Sequence, residues 1–202
     1  MRNTTQLLSL ALYFSCSMAI AGADPTGAPA PVAAAIDVPD PKTPNILPSQ
    51  LIDLPAVGKG SFKYLFWHIY DAQLQTVDGT FVDYQQSAPL VLSLTYQRDI
   101  SKSDFIDATL EQWQHQHGEI KQRHQQWSLL LANIWRDVKT GDTLSCQRLK
   151  QGEVQFFLNT VYLGSINEVA FADEFLDIWL STSTSAPKLR KQLVQAASLP
   201  TK

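Results

Sequence analysis

The chain has 202 residues, 45% of them hydrophobic and 17% charged, with a formal net charge of −3. So many apolar and so few charged side chains exclude a disordered or coiled-coil protein. The mild acidity gives no electrostatic reason to expect nucleic acid or an anionic membrane surface as partner.

Residue types divide the chain into three parts. Seven of the eleven prolines precede residue 50, whereas eighteen of the twenty aromatics lie between Phe62 and Trp179. The first part, residues 1–23, reads as a secretory signal. Arg2 is followed by an apolar stretch from Leu7 to Ile20 and by two A-x-A sites, which place cleavage after Ala21 or Ala23. The stretch is shorter than the roughly 20 apolar residues of a transmembrane helix. The expected destination is outside the cytoplasm, in the periplasm, with no stable membrane span after cleavage. Residues 24–49 read as a disordered Pro/Ala-rich linker, because prolines favour extended backbone and little apolar bulk is available to offset ordering. Residues 50–197 form one domain. Loss of Cys16 with the signal leaves Cys146 alone. No disulfide is then possible, and Cys146 is expected as a buried structural thiol.

Within the domain, apolar alternation from Lys63 to Thr76 predicts one long strand covered on both sides. It puts Tyr64, Phe66, His68, Tyr70, Ala72 and Leu74 on one face. Gly58-Lys59-Gly60 is a bend leading into it. Pro89–Gln97 is a second strand. Ser101 and Asp104 then open a helix that Gly118 ends. A second helix carries Trp127, Leu131 and Ile134 on one side. Thr143–Lys150 and Val154–Asn159 form a hairpin around Gln151-Gly152-Glu153, with Thr160–Tyr162 extending the pairing. Ser165 or Asn167 caps a helix striped with Ala172, Phe175, Leu176 and Trp179. Pro187 opens a last helix with Leu189 and Leu193 inside. Strands, helices, hairpin and helices in that order are not βαβ alternation, so the class is α+β with an antiparallel sheet.

Motifs for chemistry are sparse. His115 and His117 diverge by about 200° on a helix, and His117 and His124 straddle Gly118. No acidic or cysteine ligand is spaced to join them, so they read as solvated histidines and no metal is expected. No cofactor motif or catalytic triad is present. Tyr64, Phe66, Tyr70, Trp113, Trp127 and Trp179 suit either a dense core or an apolar cleft. Arg98 pairs with its neighbour Asp99, caps a helix, or anchors an anion at the mouth of such a cleft.

Several stretches together resemble the bacterial chalcone isomerase-like proteins. They are Val57-Gly58 leading into Leu65–Leu74, Leu92–Ile100, Asp137–Asp142, Leu163-Gly164, Ile178–Leu180 and Ala186–Arg190. The resemblance implies an open-faced β-sandwich, a large antiparallel sheet with helices on one side and a ligand cleft between them. The plant enzyme of that superfamily closes a chalcone into a flavanone, using polar groups on an early strand and on helices. Here Ser61 stands where relatives often carry arginine, Leu65 falls at a strand threonine and Ile178 at a late hydroxyl. Losing one oxyanion donor typically costs about 10²–10³ in rate. The expectation is therefore a non-catalytic domain that binds a small apolar or amphipathic ligand such as a fatty acid. Arg98 would hold the anionic head, with Tyr96, Tyr70, Tyr64 and Trp113 around the ligand. Two alternatives stand beside it. One is an isomerase of the intramolecular lyase type acting on an unsaturated carbonyl compound, with Lys59, Lys63 and Tyr64 as its polar candidates. The other is an envelope interaction module whose cleft is packed shut by Trp113, Trp127 and Trp179.

Overall fold

The computed structural model describes residues 36–37 and 50–195. The signal segment, and the linker apart from residues 36–37, lie outside the described residues. The described strands are β1 (Ile36–Asp37), β2 (Ala56–Tyr64), β3 (Trp67–Thr76), β4 (Leu90–Tyr96), β5 (Thr143–Arg148), β6 (Glu153–Leu158) and β7 (Val161–Asn167). Helices α1 (Lys102–His117) and α2 (Gln122–Ile134) separate β4 from β5, and α3 (Val169–Leu180) and α4 (Pro187–Val194) follow β7. The sheet runs β1-β7-β6-β5-β4-β3-β2, with every neighbouring pair antiparallel. This is the α+β open-faced arrangement expected.

The helices cover one face of the sheet. Register aligns Leu74, Leu92, Cys146 and Phe156 across four strands on that face, all buried. The other face carries hydroxyl pairs, Ser93 with Ser145 and Thr95 with Thr143, each at 2.9 Å. Paired with one another, these hydroxyls need no helix over them. The expectation that β3 is covered on both sides is therefore corrected. Its alternate residues Asp71, Gln73 and Gln75 stay partly exposed on the open face.

The predicted long strand is two strands. Leu65 and Phe66 form a two-residue turn between Tyr64 and Trp67, and Leu65 takes a left-handed φ of 52°. The Gly58–Gly60 segment is not a bend but part of β2. A Cβ on Gly58 would lie 2.1 Å from the carbonyl oxygen of Gln192, and one on Gly60 would lie 2.8 Å from Leu189. Only glycine lets α4 settle on β2 at that distance.

Helix ends follow local chemistry. The Ser101 hydroxyl accepts the Asp104 N–H at 3.2 Å, and Gly118 closes α1 in the left-handed region. Pro187 occupies the first turn of α4, where its missing N–H costs nothing. The cap of α3 is neither Ser165 nor Asn167, which remain in β7; Glu168 stands there without a side-chain cap bond. Its carboxylate accepts the Trp127 indole N–H at 2.8 Å instead, tying α2 to the start of α3.

Candidate functional site

A cavity of about 670 Å³ lies between the covered face of β3–β5 and helices α1 and α3. That is within the usual range for small-molecule sites. Leu92, Leu94, Leu144 and Cys146 form its floor. Its wall is a closed circuit of aromatic rings. Tyr70 meets Tyr96 at 5.7 Å, Tyr96 meets Phe105 at 5.1 Å, and Phe105 meets Trp135 at 5.7 Å. Trp135 meets Phe175 at 5.9 Å and Phe175 meets Trp179 at 5.4 Å. The Trp179 indole N–H closes the circuit by donating to the Tyr70 hydroxyl at 3.0 Å. Packed against one another, the rings stand around the space rather than in it.

Few polar groups face this space. Burial pushes the Tyr70 phenol well above its ordinary range, with the Trp179 bond opposing. The phenol stays neutral, and its hydroxyl proton remains free to donate to a ligand. Burial raises Tyr96 as well, with Tyr70 adding to the effect, and its hydroxyl has no partner among the described residues. Arg98 is half-buried, its guanidinium 4.7 Å above the Trp67 ring. The local pair with Asp99 does not form. Asp99 is instead held by Lys139 at 3.1 Å and by the Thr140 N–H at 2.9 Å. Arg98 has no carboxylate partner among the described residues. Across the mouth, α1 contributes Asp104, Asp107 and Glu111. Burial and then the neighbouring Asp107 hold Glu111 above the usual carboxylate range.

Of the expected site residues, Arg98, Tyr96, Tyr70 and Tyr64 line the cavity. Trp113 does not. It is fully buried where α1, α2 and α3 meet, stacked on His124 at 5.1 Å and donating to the Glu174 carbonyl at 3.1 Å. Phe66, grouped with the cleft aromatics from its alternation, stands almost fully exposed. The cleft is not packed shut. Trp127 joins Trp113 in the core, and Trp179 stands in the wall. Lys59 and Lys63 belong to the open face of the sheet, as does Ser61, whose hydroxyl donates to Asp71. Those polar groups therefore face away from the cavity. Ile178 lines it and is apolar, as does the turn residue Leu65. Phe105, Trp135, Phe175 and the α1 carboxylates complete the site. The helical stripe signalled Phe175 as inward-facing, but nothing local marked it as a cavity residue.

His115 is exposed as expected, but His117 and His124 are not solvated. His117 and His124 converge on Glu174 of α3, with His124 fully buried. His124 Nε2 lies 2.8 Å and His117 Nε2 3.1 Å from Glu174 Oε2, while Arg123 pairs with the other oxygen. Sequence spacing missed the joining carboxylate because it lies 50 residues from His124. The donor types would suit a divalent cation, but the proton positions do not. His124 Nδ1 accepts the Lys121 N–H at 3.2 Å, which assigns the ring proton to Nε2. That nitrogen donates to Glu174 and has no lone pair left for a metal. The cluster is a clasp joining α1, α2 and α3. Burial holds His124 below the ordinary histidine value, with Glu174 opposing the shift.

The family described as chalcone isomerase-like matches residues 63–194. No curated protein matches the chain. Among solved structures, a fatty-acid binding protein of Arabidopsis thaliana superposes with a TM-score of 0.52 at 13% identity, covering 79% of this chain and 96% of that one. At that identity the likeness is one of fold.

Proposed function

The chain belongs to the chalcone isomerase-like family, and from that premise we propose that it binds a small amphipathic ligand such as a fatty acid without transforming it. One observation carries the reading: a 670 Å³ cavity ringed by aromatics, in which Arg98 and two neutral tyrosine hydroxyls are the groups suited to an anionic or carbonyl head. An aliphatic chain gains from leaving water against such walls. A carboxylate gains from a guanidinium that no other carboxylate occupies. The superposed plant protein, itself a fatty-acid binding protein, supports the same ligand class.

The chemistry favours recognition rather than turnover. Ile178 offers no donor, and Ser61, Lys59 and Lys63 are on the wrong side of the sheet. The N-terminal segment would export the domain to the periplasm, and N-terminal sequencing of the protein from fractionated cells tests that. The ligand reading is tested by delipidating the protein and titrating it calorimetrically with a long-chain fatty acid below its micellar concentration. Saturable binding of one ligand per chain is expected, and Ala108→Trp, which fills the cavity from α1, should abolish it. No saturable heat, or binding unaffected by Ala108→Trp, would refute the reading.

A further inference from the structure

The turn between β2 and β3 breaks the chemistry of two-residue hairpin loops. Such loops favour glycine, asparagine or aspartate, because at least one residue must adopt φ > 0. Here the residues are Leu65 and Phe66, and Leu65 carries the left-handed φ of 52°. A branched side chain in that region costs roughly 1 kcal/mol or more. The same residues are exposed: Leu65 by 73%, Phe66 by 99% and Trp67 by 58%. Other exposed apolar residues, such as Val82, Leu129 and Val161, are scattered singly, which is ordinary. Three consecutive ones on a projecting tip are not.

Two further features say what covers the tip. Leu65 and Trp67 also line the cavity, so the exposed patch is the lip of the ligand's entrance. Beside it stand Lys63, exposed, and Arg98, stacked on Trp67. An indole with flanking cations and an apolar point is the composition that settles at a lipid–water interface. The projection is one narrow hairpin end, suited to entering a fluid interface.

We propose that the Leu65–Trp67 tip docks on a lipid bilayer surface, where it holds the cavity mouth against the source of the ligand. The inference rests on the ligand-binding reading above. The formal charge of −3 gives no long-range attraction, so insertion of Leu65 and Phe66 supplies the hold. Lys63 and Arg98 stand beside the inserting tip, whereas Asp104, Asp107 and Glu111 lie across the mouth on α1.

The test is flotation of ligand-free protein with phosphatidylcholine vesicles and with vesicles half phosphatidylglycerol. The wild type should float with both, somewhat more with the anionic ones. Phe66→Ser should lower partitioning by about tenfold, the scale of losing one large apolar side chain from the interface. Phe66 touches neither core nor cavity, so unfolding does not confound this variant. Leu65→Gly, which relieves the backbone, should also lower partitioning while raising the melting temperature. Brominated lipids should quench fluorescence in the wild type and less so in Trp67→Phe. Fatty-acid titration of Phe66→Ser in free solution separates the two readings. Unchanged affinity with lost flotation supports docking. Flotation without any ligand binding sinks the ligand reading alone. Failure of the wild type to float, or equal flotation of Phe66→Ser, overturns the docking proposal. So does a dimer that Phe66→Ser dissolves in the absence of flotation, since a second copy would then be the occupant.

Discussion

Replacing Arg98 with glutamine separates anchoring of the head from burial of the chain. The guanidinium is half-buried over Trp67 and has no carboxylate of its own among the described residues. A ligand carboxylate at about 4 Å would gain roughly 4 kcal/mol at an effective dielectric of 20, and about 1 kcal/mol in bulk water. The mouth lies between those limits, and desolvation of both ions subtracts from the gross figure. A charge-assisted hydrogen bond nets about 1.5–3 kcal/mol; partial exposure favours the lower part, about 2 kcal/mol. That predicts roughly a 30-fold rise in Kd for a fatty acid. Glutamine keeps length and some hydrogen bonding but not the charge. A fatty alcohol of equal chain length has no charge to lose, so its Kd should change by less than about threefold on the same scale. Arg98→Lys should fall between wild type and Arg98→Gln, because an ammonium keeps the charge but not the fork. Calorimetric titration of both ligands against all three proteins is the assay. Equal loss for acid and alcohol, or no loss for the acid, would refute Arg98 as the anchor.

Other perturbations test the scaffold and the absence of turnover. Gly58→Ala should destabilise the domain by about 2 kcal/mol or more, because the new Cβ meets backbone of α4 at 2.1 Å and the helix must move; urea unfolding reads this, and a neutral result would mean α4 is held elsewhere. Glu174→Ala should cost about 1–3 kcal/mol, since it leaves the buried His124 N–H unpaired and frees the partly exposed Arg123. His124 has a folded pKa below its free-chain value of 6.5, so its contribution is full above about pH 6.5 and is lost as pH falls through the depressed folded value. Replacing His124 by asparagine should flatten that part of the stability profile. Incubation with a chalcone should yield flavanone at no more than the uncatalysed rate; turnover abolished by Tyr70→Phe would instead support the isomerase alternative.

Much of the scaffold is written locally and could be read. Ser101, Gly118 and Pro187 mark helix ends through bonds or backbone preferences within a few residues of themselves. The β5–β6 hairpin follows from the Gln151-Gly152-Glu153 break, with Gly152 at a φ of 91°. The β2–β3 turn was hidden for an equally local reason. Leu65 and Phe66 continue the apolar pattern through the turn, so nothing in composition interrupts the strand. The glycines of β2 were misread because their cause lies elsewhere: they make room for Leu189, Gln192 and Leu193 of α4, far along the chain.

The site was legible as a set of inward-facing residues but not as an assembly. Trp113 and Trp179 carry the same aromatic signal. Only the packing sends Trp113 to the clasp around Glu174 and Trp179 to the cavity wall. The Trp179–Tyr70 bond joins residues 109 apart, and periodicity fixes a face without saying which faces meet. Arg98 could be singled out because a charge at the end of an apolar strand needs a partner. The structure removes the nearest one, since Asp99 is bonded to Lys139 and Thr140.

Two departures from local rules at the cavity mouth coincide. One is an arginine without a carboxylate; the other is a strained hairpin turn made of leucine and phenylalanine. A sequence selected for stability alone would give the turn glycine or asparagine and pair the arginine. Both departures sit at the mouth of the same aromatic cavity, with Trp67 shared between them. An internal core function explains neither, because the arginine is only half-buried and the turn is exposed. A ligand entering at that mouth explains the arginine, and a surface from which the ligand comes explains the turn.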